Sequence, residues 1–135
     1  MKSIVIKEAY TTPEVNFDPS GTLLIKGKSI HENTFGFYTP LMDWIREYVK
    51  QPAEFTVVDL YIEYLNSASS KALLETIKLF KPLKENGHSF LLNWNYEVED
   101  DDMEKTGEFM ELATGLKFNF KTFIPDKDDE DWKVE

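Results

Sequence analysis

The chain has 135 residues, the length of one ordinary domain, and its hydrophobic (41%) and aromatic (14%) content is enough for a single packed core. It contains no cysteine, which excludes disulfides, thiolate zinc sites and a cysteine nucleophile. The net charge is −10 and lysine and arginine form no cluster, so we expect neither nucleic-acid binding nor attraction to an anionic membrane surface.

Membrane and secretory segments are not evident in the sequence. No stretch approaches the roughly 18 apolar residues that a membrane-spanning helix requires. The N-terminus holds only the three-residue apolar run Ile4 to Ile6, which is much shorter than the apolar region of a secretory signal. The sequence therefore predicts a cytoplasmic protein.

The first part of the chain predicts three strands. Ile4–Ala9 has the pattern of a short strand. Two further strand segments, Glu14–Phe17 and Gly21–Gly27, lie on either side of the turn sequence Asp18-Pro19-Ser20-Gly21. These two segments are predicted to form a hairpin.

Helical spacing of apolar residues follows, as at Leu41 and Ile45. Two starts fit this helix. Thr39 has the character of an N-cap followed by Pro40 at the first helical position. Apolar residues upstream also allow a start near Asn33, with a kink at Pro40.

Phe55–Leu65 is the strongest strand of the sequence. Apolar residues occupy both of its faces, interrupted on one face by Asp59 and Glu63. A strand of this kind is typical of the centre of a sheet that is covered on both sides.

The rest of the chain alternates helices and strands. A second helix begins before Leu73 and runs to Asn86-Gly87, with a kink expected at Pro82. A strand over His88–Trp94, a third, acidic helix ending at Gly115 and a last strand over Lys117–Ile124 complete the series.

This order predicts an α/β fold: one domain, residues 1–125, with a mixed sheet and three main helices. Residues 126–135 form a highly charged segment, and we expect an acidic, disordered tail.

The loop Asn66–Lys71 joins the central strand to the second helix. Functional sites in open α/β sheets gather at the carboxyl ends of strands, and a helix N-terminus carries a partial positive charge. A serine of this loop is therefore a candidate for phosphorylation, which adds about −1.5 to −2 charges. Equally, the serines are typical helix caps.

The acidic segment Glu97–Glu104 allows three interpretations. Its carboxylates suit magnesium or calcium, as in a metal-dependent hydrolase, although the spacing of a calcium-binding EF-hand loop is missing. Acidic residues are also favoured in the first turn of a helix. An acidic docking surface is the third interpretation.

Enzyme motifs are missing from the sequence. The two histidines, His31 and His88, belong to no nucleophile motif, and neither a phosphate-binding loop nor a dinucleotide fingerprint occurs. We therefore expect a protein without catalytic residues, cofactor or bound metal.

Five segments, in this order and at compatible spacing, resemble the SiaC-type regulatory phosphoproteins. The similarity extends from about Thr11 to Phe123, nearly the whole predicted domain. The segments are Thr12–Asp18, Gly27–Asn33, Phe37–Ile45, Tyr64–Leu74 and Asn93–Met103.

The resemblance implies a fold similar to that of the anti-sigma-factor antagonists (STAS-like) and a role in partner switching. In this family a serine/threonine kinase phosphorylates the loop and a metal-dependent phosphatase reverses it. In one branch the unphosphorylated protein binds and activates a diguanylate cyclase, which connects it to cyclic-di-GMP signalling and biofilm formation. The resemblance thus implies a signalling switch rather than an enzyme, and a passive scaffold subunit is the non-catalytic alternative.

The family's phosphorylated residue directly follows the loop asparagine, which implies Ser67 here, where the family often has threonine. Ser69 and Ser70 remain alternatives, and we expect Ser67 to be exposed just before the second helix. The two loop segments imply a partner surface that comprises Asn66, Ser67, Ala68, Ser69, Ser70, Lys71, Tyr96, Glu99 and Asp101.

Overall fold

A computed structural model describes residues 1–124; the predicted tail, residues 126–135, lies outside the described residues. No helix of the described part has the length and apolar character needed to cross a bilayer. The elements in chain order are β1 Ile4–Ile6, β2 Glu14–Asp18, β3 Thr22–Ser29, α1 Thr34–Tyr48, β4 Phe55–Leu65, α2 Ser67–Lys78, α3 Lys81–Glu85, β5 Ser89–Glu97, α4 Asp101–Thr114 and β6 Phe118–Phe123.

The six strands form one mixed sheet in the order β1-β2-β3-β4-β5-β6. The pairs β1–β2 and β2–β3 are antiparallel, and the remaining three pairs are parallel. The predicted turn closes the β2–β3 hairpin, where Gly21 N donates to Asp18 O at 2.9 Å and Ser20 N to Asp18 Oδ1 at 2.8 Å. The α/β fold class with a mixed sheet and three main helices is confirmed, and α3 is a short fourth helix.

Strand β4 is central, as predicted, but it is covered on one face only. Val58, Leu60 and Ile62 are at most 2% exposed, whereas Tyr61 on the other face is half-buried and Glu63 is exposed. The expectation of cover on both sides was wrong because all connections between the parallel strands lie on one side. Right-handed crossovers that always advance to the next strand place every helix on the same face.

The core lies between this sheet face and the helices. Helix α1 packs against α2, and α2 against α4, so the three longer helices form one layer. The largest fully buried side chains are Trp94, Tyr38, Tyr48, Phe17, Phe80, Leu23, Ile25, Leu41, Ile45, Leu60, Ile62 and Leu73. Every one of the three longer helices therefore depends on the same apolar layer.

Helix α1 begins at the earlier of its two predicted starts. Its N-cap is Asn33, whose Oδ1 accepts a hydrogen bond from Gly36 N at 3.1 Å, and Pro40 lies inside the helix. The alternative start at Thr39 was wrong because the upstream turn buries Tyr38 completely. The carbonyl of Gly36, which loses its helical partner at the proline, belongs to an exposed residue where water is available.

The predicted second helix does not kink at Pro82; it ends before this residue, and a separate helix follows. Helix α2 ends at Lys78, with Leu79 as its C-cap, and Pro82 lies in the first turn of the separate helix α3. A proline is tolerated at this position because the first N–H groups of a helix have no helical acceptor.

Helix α4 packs closely against Trp94 of β5. Trp94 is fully buried and its Nε1 donates to Met103 O at 3.0 Å. A methyl carbon added to Gly107 would lie 2.5 Å from Trp94 Nε1 and 2.8 Å from Phe120. Glycine at this position allows the helix to rest on the indole. Gly115 ends the helix as predicted, with a φ of 73°.

Replacing Gly107 with alanine is expected to destabilise the protein. The clash with Trp94 outweighs the better helix propensity of alanine, so the free energy of unfolding should fall by about 1–3 kcal/mol. Urea unfolding followed by tryptophan fluorescence measures this change. As a control, Ala113→Gly at an exposed position of the same helix should cost only the propensity difference, about 1 kcal/mol. A more stable Gly107→Ala variant would contradict the packing argument.

Candidate functional site

The loop before α2 is organised by Asn66. This residue is the N-cap: its Oδ1 accepts from Ser69 N at 2.8 Å, and its carbonyl oxygen accepts from Ser70 N at 2.9 Å. An asparagine side chain is among the best helix caps, so the first turn is closed without any serine hydroxyl. The interpretation that the loop serines cap the helix was therefore wrong.

The three loop serines differ in accessibility. Ser67 is exposed, which confirms the expectation, but it is the first residue of α2 and does not precede the helix. Within residues 1–124 its hydroxyl makes no hydrogen bond. Ser69 is fully buried and Ser70 is half-buried. Ala68 and Lys71 are exposed, so Ser67 lies on the accessible side of the first turn.

Beneath the loop lies a chain of three buried hydroxyl groups. The oxygen atoms of Tyr38 and Ser29 are 2.9 Å apart, and Ser29 Oγ donates to Ser69 Oγ at 2.9 Å. Since the Ser29 proton is used in the bond to Ser69, Tyr38 is the donor in the first bond. None of the three residues is more than 2% exposed. These hydrogen-bonded hydroxyl groups therefore link α1, β3 and α2 inside the core.

The sequence analysis missed this buried chain. Ser29 ends β3 and Tyr38 lies in the apolar stripe of α1, and neither position has a local signal that pairs it with Ser69. The only available signal was a serine on the face of β3 that otherwise carries Leu23, Ile25 and Gly27. The backbone reinforces the same link, because Asn66 N donates to Ser29 O at 3.2 Å. These bonds hold the first turn of α2 in place and present Ser67 to solvent.

The acidic segment forms the start of α4. Asp100 is the N-cap, with its Oδ1 accepting from Met103 N at 3.1 Å, and Asp101, Asp102 and Glu104 lie in the first turn. Carboxylates in this position interact favourably with the helix dipole. Within residues 1–124 no group of three or more acidic or histidine side chains is placed to hold a metal ion. The structure thus favours the helix-start interpretation of this segment.

Of the predicted partner residues in this segment, Glu99 and Asp101 are exposed, whereas Tyr96 is only 9% exposed. Glu99 adopts a φ of 73°, the left-handed conformation, in the tight turn between β5 and α4. Tyr96 Oη donates to Glu104 Oε2 at 3.1 Å. Tyr96 therefore supports the start of α4 and offers little surface of its own.

The two predicted segments lie at the same edge of the sheet, because β4 and β5 are parallel neighbours and their carboxyl ends are adjacent. Next to this edge α2 and α4 enclose a groove of about 520 Å³, which we call the α2–α4 groove. Glu99 and Asp101 do not line it. Its lining includes Ser70, Lys71, Leu74, Lys105, Phe109 and Met110. The α4 part of this groove was missed, although Phe109 lies off the buried stripe of its helix.

Removing the Tyr38 hydroxyl is expected to change how stability depends on pH. Burial raises the pKa of Tyr38 to about 12, from an ordinary value near 10, although its bond to Ser29 opposes the shift. The unfolded chain loses this proton near pH 10, whereas the folded protein keeps it until about pH 12. Folding stability is therefore unaffected below about pH 10 and falls as the pH rises towards 12. The free energy of unfolding decreases by about 2–3 kcal/mol over this range.

The Tyr38→Phe variant should therefore lose less unfolding free energy between pH 10 and 12 than the wild type. At neutral pH it should be about 1–2 kcal/mol less stable, because it leaves Ser29 without its donor. Urea unfolding across this pH range tests both effects. Tyr10→Phe, at a residue that is 81% exposed, is the matched control and should follow the wild type. An unchanged slope in Tyr38→Phe would contradict the assignment.

Comparisons with known proteins agree on one family. The family model described as SiaC family regulatory phosphoprotein matches residues 6–123. An uncharacterised protein of Pseudomonas aeruginosa (strain UCBPP-PA14) is 25% identical over 109 residues, which are 80% of this chain and 86% of that protein.

Two solved structures share the fold. The crystal structure of apo-SiaC from Pseudomonas aeruginosa superposes with a TM-score of 0.78 at 21% identity, covering 90% of this chain and 99% of that chain. A chain in the crystal structure of diguanylate cyclase SiaD in complex with its activator SiaC, from the same organism, gives a TM-score of 0.81 at 22% identity, covering 89% and 99%. Since the family model spans most of the sequence, the chain belongs to the SiaC family of regulatory phosphoproteins and is a signalling protein rather than an enzyme.

Proposed function

We propose that this protein is a phosphorylation-controlled switch: unphosphorylated, it binds a partner protein, a diguanylate cyclase, and a phosphate on Ser67 releases that partner. A serine/threonine kinase adds the phosphate and a phosphatase removes it, and all of these proteins act in the cytoplasm. Support for the cyclase comes from the relative SiaC, which was solved in complex with diguanylate cyclase SiaD as its activator.

The accessibility of Ser67 carries the proposal. A kinase must enclose the hydroxyl that it phosphorylates, and of the three loop serines Ser67 is the one whose side chain is exposed. Ser69 is fully buried and accepts a hydrogen bond from Ser29, so its phosphorylation would require the first turn of α2 to open. Ser70 is half-buried and remains the second candidate.

The surroundings of Ser67 favour a negatively charged group such as a phosphate. Ser67 is the first residue of α2, where unpaired N–H groups and the helix dipole favour negative charge by about 0.3–1 kcal/mol. Lys71 is exposed and lies four residues further along the same helix, where side chains lie on one face. Phosphorylation should therefore leave the folded domain intact.

A partner that covers Ser67 does not gain from the helix dipole or from Lys71, which stabilise the phosphate on this protein. Enclosing a dianion in an interface costs several kcal/mol unless a cation meets it. A loss of about 2.7 kcal/mol already weakens binding roughly a hundredfold. The phosphate thus acts on binding and not on folding.

The Ser67→Asp variant is expected to keep the melting temperature of the wild type, or to exceed it slightly, and to bind the diguanylate cyclase roughly a hundredfold more weakly. Ser67→Ala should bind like the wild type. Calorimetric titration of purified protein with the cyclase measures affinity, and differential scanning calorimetry measures stability. Ser67→Asp and Ser67→Ala of equal affinity, or an unfolded Ser67→Asp, would refute the switch.

Two further variants separate the candidate acceptors. Ser69→Asp places a carboxylate in a fully buried position and should unfold or strongly destabilise the domain. Ser70→Asp should remain folded and, if Ser67 is the acceptor, should weaken cyclase binding less than Ser67→Asp. Mass spectrometry of the protein isolated from its native cell should find the phosphate on Ser67. A phosphate found on Ser70 alone would move the switch to that residue.

A further inference from the structure

The α2–α4 groove has an apolar floor that is open to solvent. Leu74 and Met110 line it, and Phe109 is 61% exposed beside them. An exposed phenylalanine next to other apolar side chains marks a place where a partner side chain can be buried. The volume of about 520 Å³ is sufficient for one or two large side chains.

The charged side chains that line the groove are both lysines. Lys71 comes from α2 and Lys105 from α4, so each helix contributes one lysine to the lining. Within residues 1–124 neither ammonium has a carboxylate within 4 Å, and nearby Glu75 pairs with Lys78 instead, at 3.2 Å. In a chain of net charge −10, the groove thus has only basic residues among its charged lining.

The groove is also continuous with the first turn of α2, which carries Ser67. Ser70 and Lys71 belong to the first turns of α2 and line the groove, and Ser67 lies one turn before Lys71 on the same helix. A partner seated in the groove would therefore lie next to the Ser67 hydroxyl.

We propose that the α2–α4 groove binds a partner segment in which an apolar anchor side chain is flanked by carboxylates. The anchor packs on Phe109 and Leu74, and the carboxylates pair with Lys71 and Lys105. The acidic surface elsewhere on the chain repels such a segment, which directs it to this groove. The inference rests on the proposed function and names the chemistry of the partner at that site.

The same charges explain why a phosphate on Ser67 would oppose this partner. A phosphoserine one turn away competes for the ammonium of Lys71, and it also repels the carboxylates of the segment. An acidic partner is therefore more sensitive to this modification than a basic partner would be, because a basic segment would gain a new counter-charge.

A pair of designed peptides tests the assignment on the full-length protein. The first is a fluorescein-labelled peptide with Phe and Leu anchors flanked by Glu, and the second has Lys in place of each Glu. We expect the Glu peptide to bind and to shift the amide resonances of residues 70–74 and 105–110 in a nitrogen-15 NMR titration. The Lys peptide should bind at least about tenfold more weakly.

Matched variants locate the binding. Phe109→Ser should weaken the Glu peptide about tenfold or more, and Lys105→Gln about two- to fivefold. Phe55→Ser, at a phenylalanine that is 54% exposed on the sheet, and Lys117→Gln, at an exposed lysine, are the controls and should bind like the wild type. Equal binding of both peptides, shifts confined to another surface, or control variants that weaken binding as much as Phe109→Ser would overturn the inference.

The two proposals fail separately. If the Glu peptide binds the groove while Ser67→Asp leaves cyclase affinity unchanged, the groove assignment stands and the phosphoserine switch fails. If Ser67→Asp releases the cyclase while Phe109→Ser and Lys105→Gln bind it like the wild type, the switch stands and the groove assignment fails.

Discussion

Every parallel connection after β3 advances to the next strand in the same direction, and the rest of the architecture depends on this constraint. It brings the carboxyl ends of β3, β4 and β5 to one edge of the sheet. It also collects the helices on one face, where they share one apolar layer. Both predicted loops, before α2 and before α4, therefore lie at the same edge of the sheet although they are far apart in the sequence.

The loop before α2 combines a rigid base with an accessible side chain. Asn66 closes the first turn, and the buried hydroxyl chain from Tyr38 through Ser29 to Ser69 holds that turn against the core. Ser67 takes part in none of these bonds within the described residues. A modification at Ser67 thus adds charge to the surface without breaking an interaction on which the fold depends, and this separation is what a switch on binding requires.

Electrostatics divide the surface near this edge into two parts. The start of α4 is acidic, and its carboxylates stabilise their own helix. The α2–α4 groove carries lysines from both helices above an apolar floor. A net charge of −10 alone would suggest a uniformly acidic protein. The charged residues that line the groove are thus both basic, in a chain whose net charge is acidic.

What the sequence determined by itself was set by local signals. The Asp18–Gly21 turn, the end of α4 at Gly115 and the order of the strands and the three longer helices each depend on residues close together in the chain, and all of them were predicted. The separate helix α3 was not, because the sequence predicted it as the kinked end of the second helix. The central place of β4 was also predicted, because its apolar pattern exceeds what an edge strand tolerates.

Only the tertiary structure decided the features that depend on packing between distant residues. Helix α1 starts directly after its N-cap Asn33 because the additional turn buries Tyr38, a gain that neither capping signal reveals. The sheet is open on one face because of the direction of the crossovers. Ser69 is buried and accepts a hydrogen bond from Ser29, 40 residues earlier in the chain, whereas Ser67 remains exposed. In sequence these serines are near-equivalent neighbours, and their difference arises from which side of α2 faces the core.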